Sequence, residues 1–353
     1  MCTVIVVNHH HKEFPLVVAA NRDEDYGRPS SPVQILSREP LVIGGKDEAK
    51  GGTWFGVNKH SIFVTGTNQG LTDKTIKTSR GLLITEALKC KTLDELLTFI
   101  EELNPAKYNK FNIVFGNSKA VFIAHSYLLH SMVIRELPPG VHVISSDMKF
   151  TGEDPKVQYI HKRLDVATDI PWLKYYSLLK KTLASSEFGV RLKPHQRESN
   201  GKPYGHCTRS STIVAFSESG LERYKFYDRT APRSKKKSKE DVVPSRYKDY
   251  IELWRNPDTF VPELNSNEVK YETVDDPPEL NPKDLILKKL KKKVDTKHKM
   301  WRAHVVKPVG CMCKLEERGW GNRIVIDKNC PVHSGLGGGL LCTSGPAPDD
   351  YDD

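Results

Sequence analysis

The sequence predicts an α+β fold in which sheets pack face to face beneath an outer cover of helices. Two observations carry this. Strand-like and helix-like segments come in segregated runs, ordered strands, helices, strands, helices, strands, which disfavours a doubly wound parallel sheet. Neither a G-x-G-x-x-G nor a Walker-type loop follows a strand, so a nucleotide-binding architecture has no support. The chain has 353 residues, 38% hydrophobic and 28% charged, which places it among globular proteins large enough to bury a sizeable core.

Thr3 to Val7 is a short β-branched run, as expected of a buried strand. A polar turn, His9 to Glu13, leads to a second apolar run, Leu16 to Ala20, and the two predict a hairpin. The charged segment Asn21 to Pro32, with two prolines, reads as a loop. Trp54 to Val57 and Ile62 to Thr67 predict two more strands. Helices are expected over Arg80 to Lys89 and Leu93 to Leu103, the second capped by Thr92 with Glu95 three residues on. Phe111 to Phe115, Val121 to Ala124 and Val141 to Ser145 return to strand character. Tyr159 to Ala167 and Trp172 to Ser185 read as helices, and Thr212 to Phe216 with Arg223 to Tyr227 as a final hairpin.

The front domain is expected to span residues 1–228. Residues 229–300 read as a charged, Pro-rich linker with short helices, one of them over Tyr247 to Leu253. Residues 301–335 form a Cys-containing module, and residues 336–353 a Gly-rich, acidic tail. The net charge of +10 draws on two basic runs, Arg233 to Lys239 and Lys288 to Lys293. Without interleaved aromatics, such runs are first a solvated surface, and second a weak contact for nucleic acid or a partner protein. No apolar stretch is long enough for a membrane span and no signal peptide is visible, so a cytoplasmic protein is expected. The odd cysteine count, seven, fits a reducing compartment and a metal better than a disulfide framework.

Cys2 follows the initiator Met1, and cysteine is small enough for a Met-removing aminopeptidase to act before it. Processing would leave one residue carrying both a thiol (pKa ~8.5) and an α-amine (pKa ~7.7–8.0), so one residue supplies nucleophile and base. A cysteine at position 2 is by itself usually incidental. Its neighbours sharpen the reading. A hairpin partner of residues 3–7 brings the tetrad Asn21-Arg22-Asp23-Glu24 towards Cys2. Asp23 is then placed to orient the α-amine, and Arg22 to hold a carboxylate or stabilise a thiolate. The competing reading of the same tetrad is a salt-bridged loop.

The Met-Cys start, the Asn21-Arg22-Asp23-Glu24 tetrad and Arg28-Pro29 resemble the NRDE family, also called the transport-and-Golgi-organisation family. Further segments match in order: Gly51-Gly52-Thr53-Trp54-Phe55-Gly56, Thr65-Gly66-Thr67-Asn68, Ser79-Arg80-Gly81, Tyr108-Asn109-Lys110-Phe111-Asn112 and Thr208-Arg209-Ser210-Ser211-Thr212. The resemblance covers residues 1–228 and implies an Ntn-hydrolase-like, four-layer αββα sandwich. It implies acyl transfer through a thioester on a non-peptide amide or related acyl bond, with no cofactor in this domain. Cys2, Arg22, Asp23 and Asn68 are then the catalytic candidates, Asn68 as an oxyanion donor. Asn21, Trp54, Asn112 and Arg209 are the substrate-binding candidates. A turn for Asn68 and a surface ion pair for Arg209 are the structural alternatives. In one departure, Ser145-Ser146-Asp147 stands where distant hydrolases place a late oxyanion Asn, and a carboxylate is a poor oxyanion donor unless protonated. The other functional class is a non-catalytic binding or trafficking protein whose cleft holds a lipid or haem-like ligand.

The C-terminal module carries Cys311-Met312-Cys313 and Cys330-Pro331-Val332-His333, two ligand pairs bridged by a predicted hairpin. Four N/S ligands brought together this way suit a structural zinc ion in a small zinc-ribbon-like unit. The C-x-C spacing is tighter than the usual C-x2–4-C. Cys342 and His304 are spare ligands, and free reduced cysteines are the alternative. A unit this small needs metal to fold.

Overall fold

The computed structural model describes residues 2–69, 77–128, 131–146, 154–165, 169–193, 205–229 and 247–258, and four further strands after residue 302. The strands β1 (Thr3–Asn8), β2 (Leu16–Asp25), β3 (Ser30–Arg38), β4 (Leu41–Asp47), β5 (Phe55–Asn58) and β6 (Phe63–Asn68) precede helices α1 (Arg80–Ala87) and α2 (Leu93–Glu101). Strands β7 (Phe111–Gly116), β8 (Val121–Leu128), β9 (Ser131–Glu136) and β10 (Gly140–Ser145) follow. Then come helices α3 (Pro155–Leu164) and α4 (Trp172–Ala184), strands β11 (His206–Ser217), β12 (Gly220–Asp228) and β13 (Tyr247–Asp249), and helix α5 (Ile251–Arg255). The later strands are β14 (Ala303–Val306), β15 (Lys314–Arg318), β16 (Gly321–Val325) and β17 (Leu340–Cys342).

Two large sheets form, in the orders β10-β1-β2-β11-β12-β13 and β14-β9-β8-β7-β6-β5-β4-β3. Their strand pairings are all antiparallel. Side chains alternate across a strand, so each sheet has two apolar faces to bury. Val4, Val6, Leu16 and Val18 meet Ile43, Phe55, Phe63 and Val114 of the other sheet in a shared core. The odd residues Ile5, Val7, Val17 and Ala19 pack on Ile160, Tyr175, Leu179 and Leu183 of α3 and α4. On the far side, Val64, Ile113 and Phe115 pack on Leu83, Ile84, Leu96 and Ile100 of α1 and α2. Three cores separate four layers, helix, sheet, sheet, helix, as the αββα expectation required. Burial on both faces is why β1 reads as an unbroken apolar run.

Thr92 caps α2 as expected, its hydroxyl accepting from the Glu95 N–H at 3.1 Å. Other expectations are corrected. The segment from Asn21, read as loop, continues β2 as far as Asp25. The β3–β4 hairpin was not foreseen, because Ser30–Arg38 is largely polar and carries two register shifts. The helix expected from Tyr159 begins at Pro155, where Asp154 accepts from the Lys156 N–H at 2.8 Å. Tyr247 to Leu253, read as a linker helix, is strand β13 followed by α5. Here Ile251 and Leu253 enter the inter-sheet core, and the Trp254 Nε1 donates to the Asn58 carbonyl at 3.2 Å.

In the C-terminal region, β14 pairs with β9, and β15-β16-β17 form a small antiparallel sheet. Cys311, Cys313, Cys330 and His333 lie outside the described residues, as do both basic runs. Among the described residues no helix is long and apolar enough to cross a membrane.

Candidate active site

The register of the first hairpin sets the site. Thr3 pairs with Asn21 and Val4 with Ala20, and continuing this by one residue sets Cys2 opposite Arg22. Even-numbered residues of both strands face between the sheets. Cys2 and Arg22 therefore open onto the same space, a cleft of about 360 Å³ at the end of the sandwich. Trp54, Asn68, Arg80 and Asn112 also line it. Cys2 is half-buried.

Arg22 is held on three sides. Its side chain is 4% exposed, with its Cζ 4.2 Å from the centroid of the Trp54 ring. Its Nη2 lies 3.5 Å from Asp47 and 3.8 Å from Glu24. Arg28 shares both carboxylates, with its Nε 2.8 Å from Asp47 and 3.7 Å from Glu24. Two cations and two anions thus make a closed quartet, and this is what lets a charged tetrad run as buried strand. Asp47 is itself fixed by accepting from the N–H groups of Ala49 and Lys50 at 3.0 and 3.2 Å. Gly45 makes room for Trp54, since a Cβ there would stand 2.3 Å from the indole.

The Cys2 thiol donates to the Asp23 carbonyl at 3.7 Å. Burial raises its pKa and the Asp23 charge adds to this, while Arg22 opposes both. Asp23, the next residue along β2, is buried and turned to the other face. There Thr208 Oγ1 donates to its Oδ1 at 2.5 Å. Desolvation pushes this carboxyl up to about 6, against the Thr208 hydrogen bond and the positive charge of Lys156.

Asn68 ends β6 at the cleft, partly exposed, opposite Phe111 in the register. Asn112 is fully buried behind it. Its Nδ2 donates to Thr67 Oγ1 at 2.9 Å, and its Oδ1 accepts from His125 Nδ1 at 2.8 Å. Desolvation holds His125 neutral, its pKa pushed down to about 3. Asn112 reaches the cleft wall with its amide already committed, so it braces the wall and is not a free donor.

Two of the substrate-binding candidates lie elsewhere. Asn21 faces the helices, where its Nδ2 donates to the carbonyls of Leu183 and Val190 at 3.0 and 2.7 Å and its Oδ1 accepts from Ser211 at 2.5 Å. It ties β2 to the end of α4. Arg209 forms the bulge of β11 and donates from Nη1 to the carbonyls of Asp25, Tyr26 and Arg28 at 2.8, 2.6 and 2.9 Å. It clamps the turn that carries Arg28. Ser146 donates to the Cys2 carbonyl at 3.5 Å, and Asp147 lies outside the described residues.

The cleft also contains residues that sequence reasoning did not place in it: Arg28, Asp47, Lys50, Lys77 and Arg80. Arg28 stands in the Arg28-Pro29 segment and Arg80 in Ser79-Arg80-Gly81, the two signals available. The Arg80 Nη1 donates to the Lys110 carbonyl at 2.8 Å.

Residues 1–233 match the protein family described as Transport and Golgi organisation 2. The chain belongs to that family. The match to the Transport and Golgi organisation 2 family takes in β1 to β12 and stops before β13, the edge strand of the first sheet. No curated protein sequence matches the chain. Among solved structures it is similar to a variant of conjugated bile acid hydrolase from Clostridium perfringens, with a TM-score of 0.44 and 10% identity over 70% of this chain and 96% of that one. It is also similar to the Caenorhabditis elegans ortholog of N-acylethanolamine-hydrolyzing acid amidase, with a TM-score of 0.43 and 11% identity over 61% of this chain and 92% of that one. A third is penicillin V acylase from Agrobacterium tumefaciens, with a TM-score of 0.38 and 12% identity over 65% and 84%. At this distance no residue role is carried across.

Proposed function

We propose that the front domain is a cysteine amidohydrolase of the N-terminal-nucleophile type, cleaving a non-peptide amide or related acyl bond. The observation that carries this is the position of Cys2. It stands at the head of a fully buried strand, on the inter-sheet face, opening onto a cleft that also receives Arg22 and Asn68. After Met1 is removed, the Cys2 α-amine takes the thiol proton and the sulfur attacks the acyl carbon. The Asn68 amide faces the developing oxyanion. The amine proton passes to the leaving amine, a thioester remains, and water activated by the same amine releases the acid. Asp23 holds the α-ammonium by a charge-assisted hydrogen bond, and Arg22 favours the thiolate that burial disfavours.

The test has two parts. Mass spectrometry of the purified chain is expected to show Cys2 as the first residue. An acyl-type thiol probe is expected to label the wild type at Cys2 and to lose that label in Cys2→Ala. A retained Met1, with equal labelling of both proteins, overturns the proposal and leaves a ligand-binding cleft.

For the C-terminal region we propose one structural zinc ion on Cys311, Cys313, Cys330 and His333. The β15–β16 hairpin supports it: β15 starts one residue after Cys313, and Lys314 pairs with Val325, so the chain returns to its starting point five residues before Cys330.

A further inference from the structure

The charges of the cleft do not balance. Arg22 and Arg28 are matched by Glu24 and Asp47 in the quartet described above. Outside that quartet the cleft is lined by three cations, Lys50, Lys77 and Arg80, against one further carboxylate, Asp23, and among the described residues neither Lys50 nor Arg80 has an ion-pair partner. Arg80 is tied to the Lys110 carbonyl through Nη1 alone, which fixes the guanidinium and leaves Nε and Nη2 available for a ligand. The negative charges of Cys2 and Glu24 favour its charged form. Desolvation is the largest influence on it and disfavours its charged form, a cost that an anionic ligand would relieve.

We propose that the Cys2 cleft selects substrates bearing an anionic group, with Arg80 as the residue that binds it and Lys50 at the rim drawing it in. The inference rests on the Cys2 cleft being the working site. The chemistry is an acyl or amide compound with a carboxylate, sulfonate or phosphate within one side chain's reach of the scissile carbonyl. Arg80 suits this because a guanidinium presents two parallel N–H groups to two oxygens of one anion. Lys50, exposed and at the end of a flexible stem, contributes charge without that geometry.

The experiment compares two alkylating agents of nearly equal size, iodoacetate and iodoacetamide, reacting with Cys2 of the full-length protein. Both consume the same thiolate, so the ratio of the two rates is independent of the thiol's ionisation. It reads the electrostatic field of the cleft. Cys90 and Cys207 are buried, and peptide mass spectrometry separates them from Cys2. The iodoacetate to iodoacetamide ratio at Cys2 is expected to exceed that of glutathione. It is expected to fall about three- to tenfold in Arg80→Gln, the effect of removing one charge from a partly wet cleft. Arg80→Lys is expected to keep most of the ratio, Lys50→Gln to lose less than Arg80→Gln, and added salt to lower the wild-type value. A wild-type ratio equal to that of glutathione, a ratio unmoved by both Arg80→Gln and Lys50→Gln, or a Cys2 inert to both reagents overturns the proposal.

A second arm compares hydrolysis of an N-acylglycine with that of its neutral glycinamide. Preference for the neutral substrate overturns the inference and leaves the hydrolase reading standing. No hydrolysis of either, with the alkylation ratio as expected, sinks the hydrolase reading and supports an anion-binding cleft.

Discussion

Arg22 of β2 lies against the face of Trp54, the residue just before β5 of the other sheet, and both line the Cys2 cleft, so their contact closes one wall of it. It also sets a stability requirement. Removing Arg22 leaves Asp47 and Glu24 to Arg28 alone, in a site where the Asp47 side chain is only 15% exposed. Breaking one member of a buried ion pair costs ~3–5 kcal/mol, and the retained Arg28 keeps the cost near the lower figure. Arg22→Gln is expected to lower unfolding free energy by about 3 kcal/mol in urea titration. Adding Asp47→Asn should return part of that loss. Full additivity of the two changes would show that the pair is not coupled.

Asn21 offers a contrasting case one residue away. Its amide serves two buried carbonyls on the helix side of the sheet. Asn21→Ala is expected to destabilise by about 2–4 kcal/mol, because each stranded buried polar group costs ~1–3 kcal/mol. The rate of Cys2 alkylation at a temperature where both proteins stay folded should be unchanged. A selective loss of Cys2 reactivity would return Asn21 to the cleft.

These two neighbours show what was legible in the sequence and what was not. The apolar runs Thr3 to Val7 and Leu16 to Ala20 announce a buried hairpin, and with it the place of Cys2. The tetrad after them reads as a loop, because four consecutive polar or charged residues seldom form buried strand. Only the quartet with Arg28 and Asp47, and the Thr208 hydroxyl on Asp23, make it one. Reading the strand on through the tetrad would have put Asn21 and Arg22 on opposite faces. Lys50, and Arg80 despite its motif, could not be placed at the cleft for another reason. They are brought to Cys2 by the packing of one sheet on the other, and no local spacing records that. The bulge that turns Arg209 onto three carbonyls is likewise invisible in a run of polar strand residues.

Asp23 gives the fold a pH dependence of unusual sign. Its carboxyl titrates near 3.9 in an unfolded chain and is raised to about 6 in the folded one by desolvation. Between those values the folded state holds more protons, so stability is greater on the acid side and falls as pH rises from about 4 to 6. The full difference is on the order of 3 kcal/mol, reached above pH ~6. Asp23→Asn should remove it. Relative to wild type, the variant is expected to gain stability as pH rises through that window, read as the difference in urea midpoints at each pH. A difference that is flat from pH 4 to 7 would refute the assignment.

The zinc proposal predicts one zinc per chain by elemental analysis of metal-replete protein. Cys330→Ser or treatment with a strong chelator should remove it. The front domain is expected to keep its melting transition, since its three cores are built almost entirely before residue 256. Stoichiometric zinc that survives in Cys330→Ser would place the metal on other ligands, with Cys342 and His304 the first to test.

Asn68 separates the hydrolase reading from a binding cleft most directly. It is the partly exposed amide at the cleft end of β6, whereas Asn112 behind it is spent on Thr67 and His125. An oxyanion donor acts on the transition state and hardly at all on the bound substrate. Asn68→Ala is therefore expected to reduce kcat about 100- to 1,000-fold while KM moves only a few-fold. Asn112→Ala should instead lower stability and disturb both constants together, because it loosens the wall that carries Thr67. If Asn68→Ala raised KM and left kcat intact, Asn68 would be a binding contact, and the oxyanion would have to be met by another donor at the cleft, with the backbone N–H groups near Cys2 the first to examine.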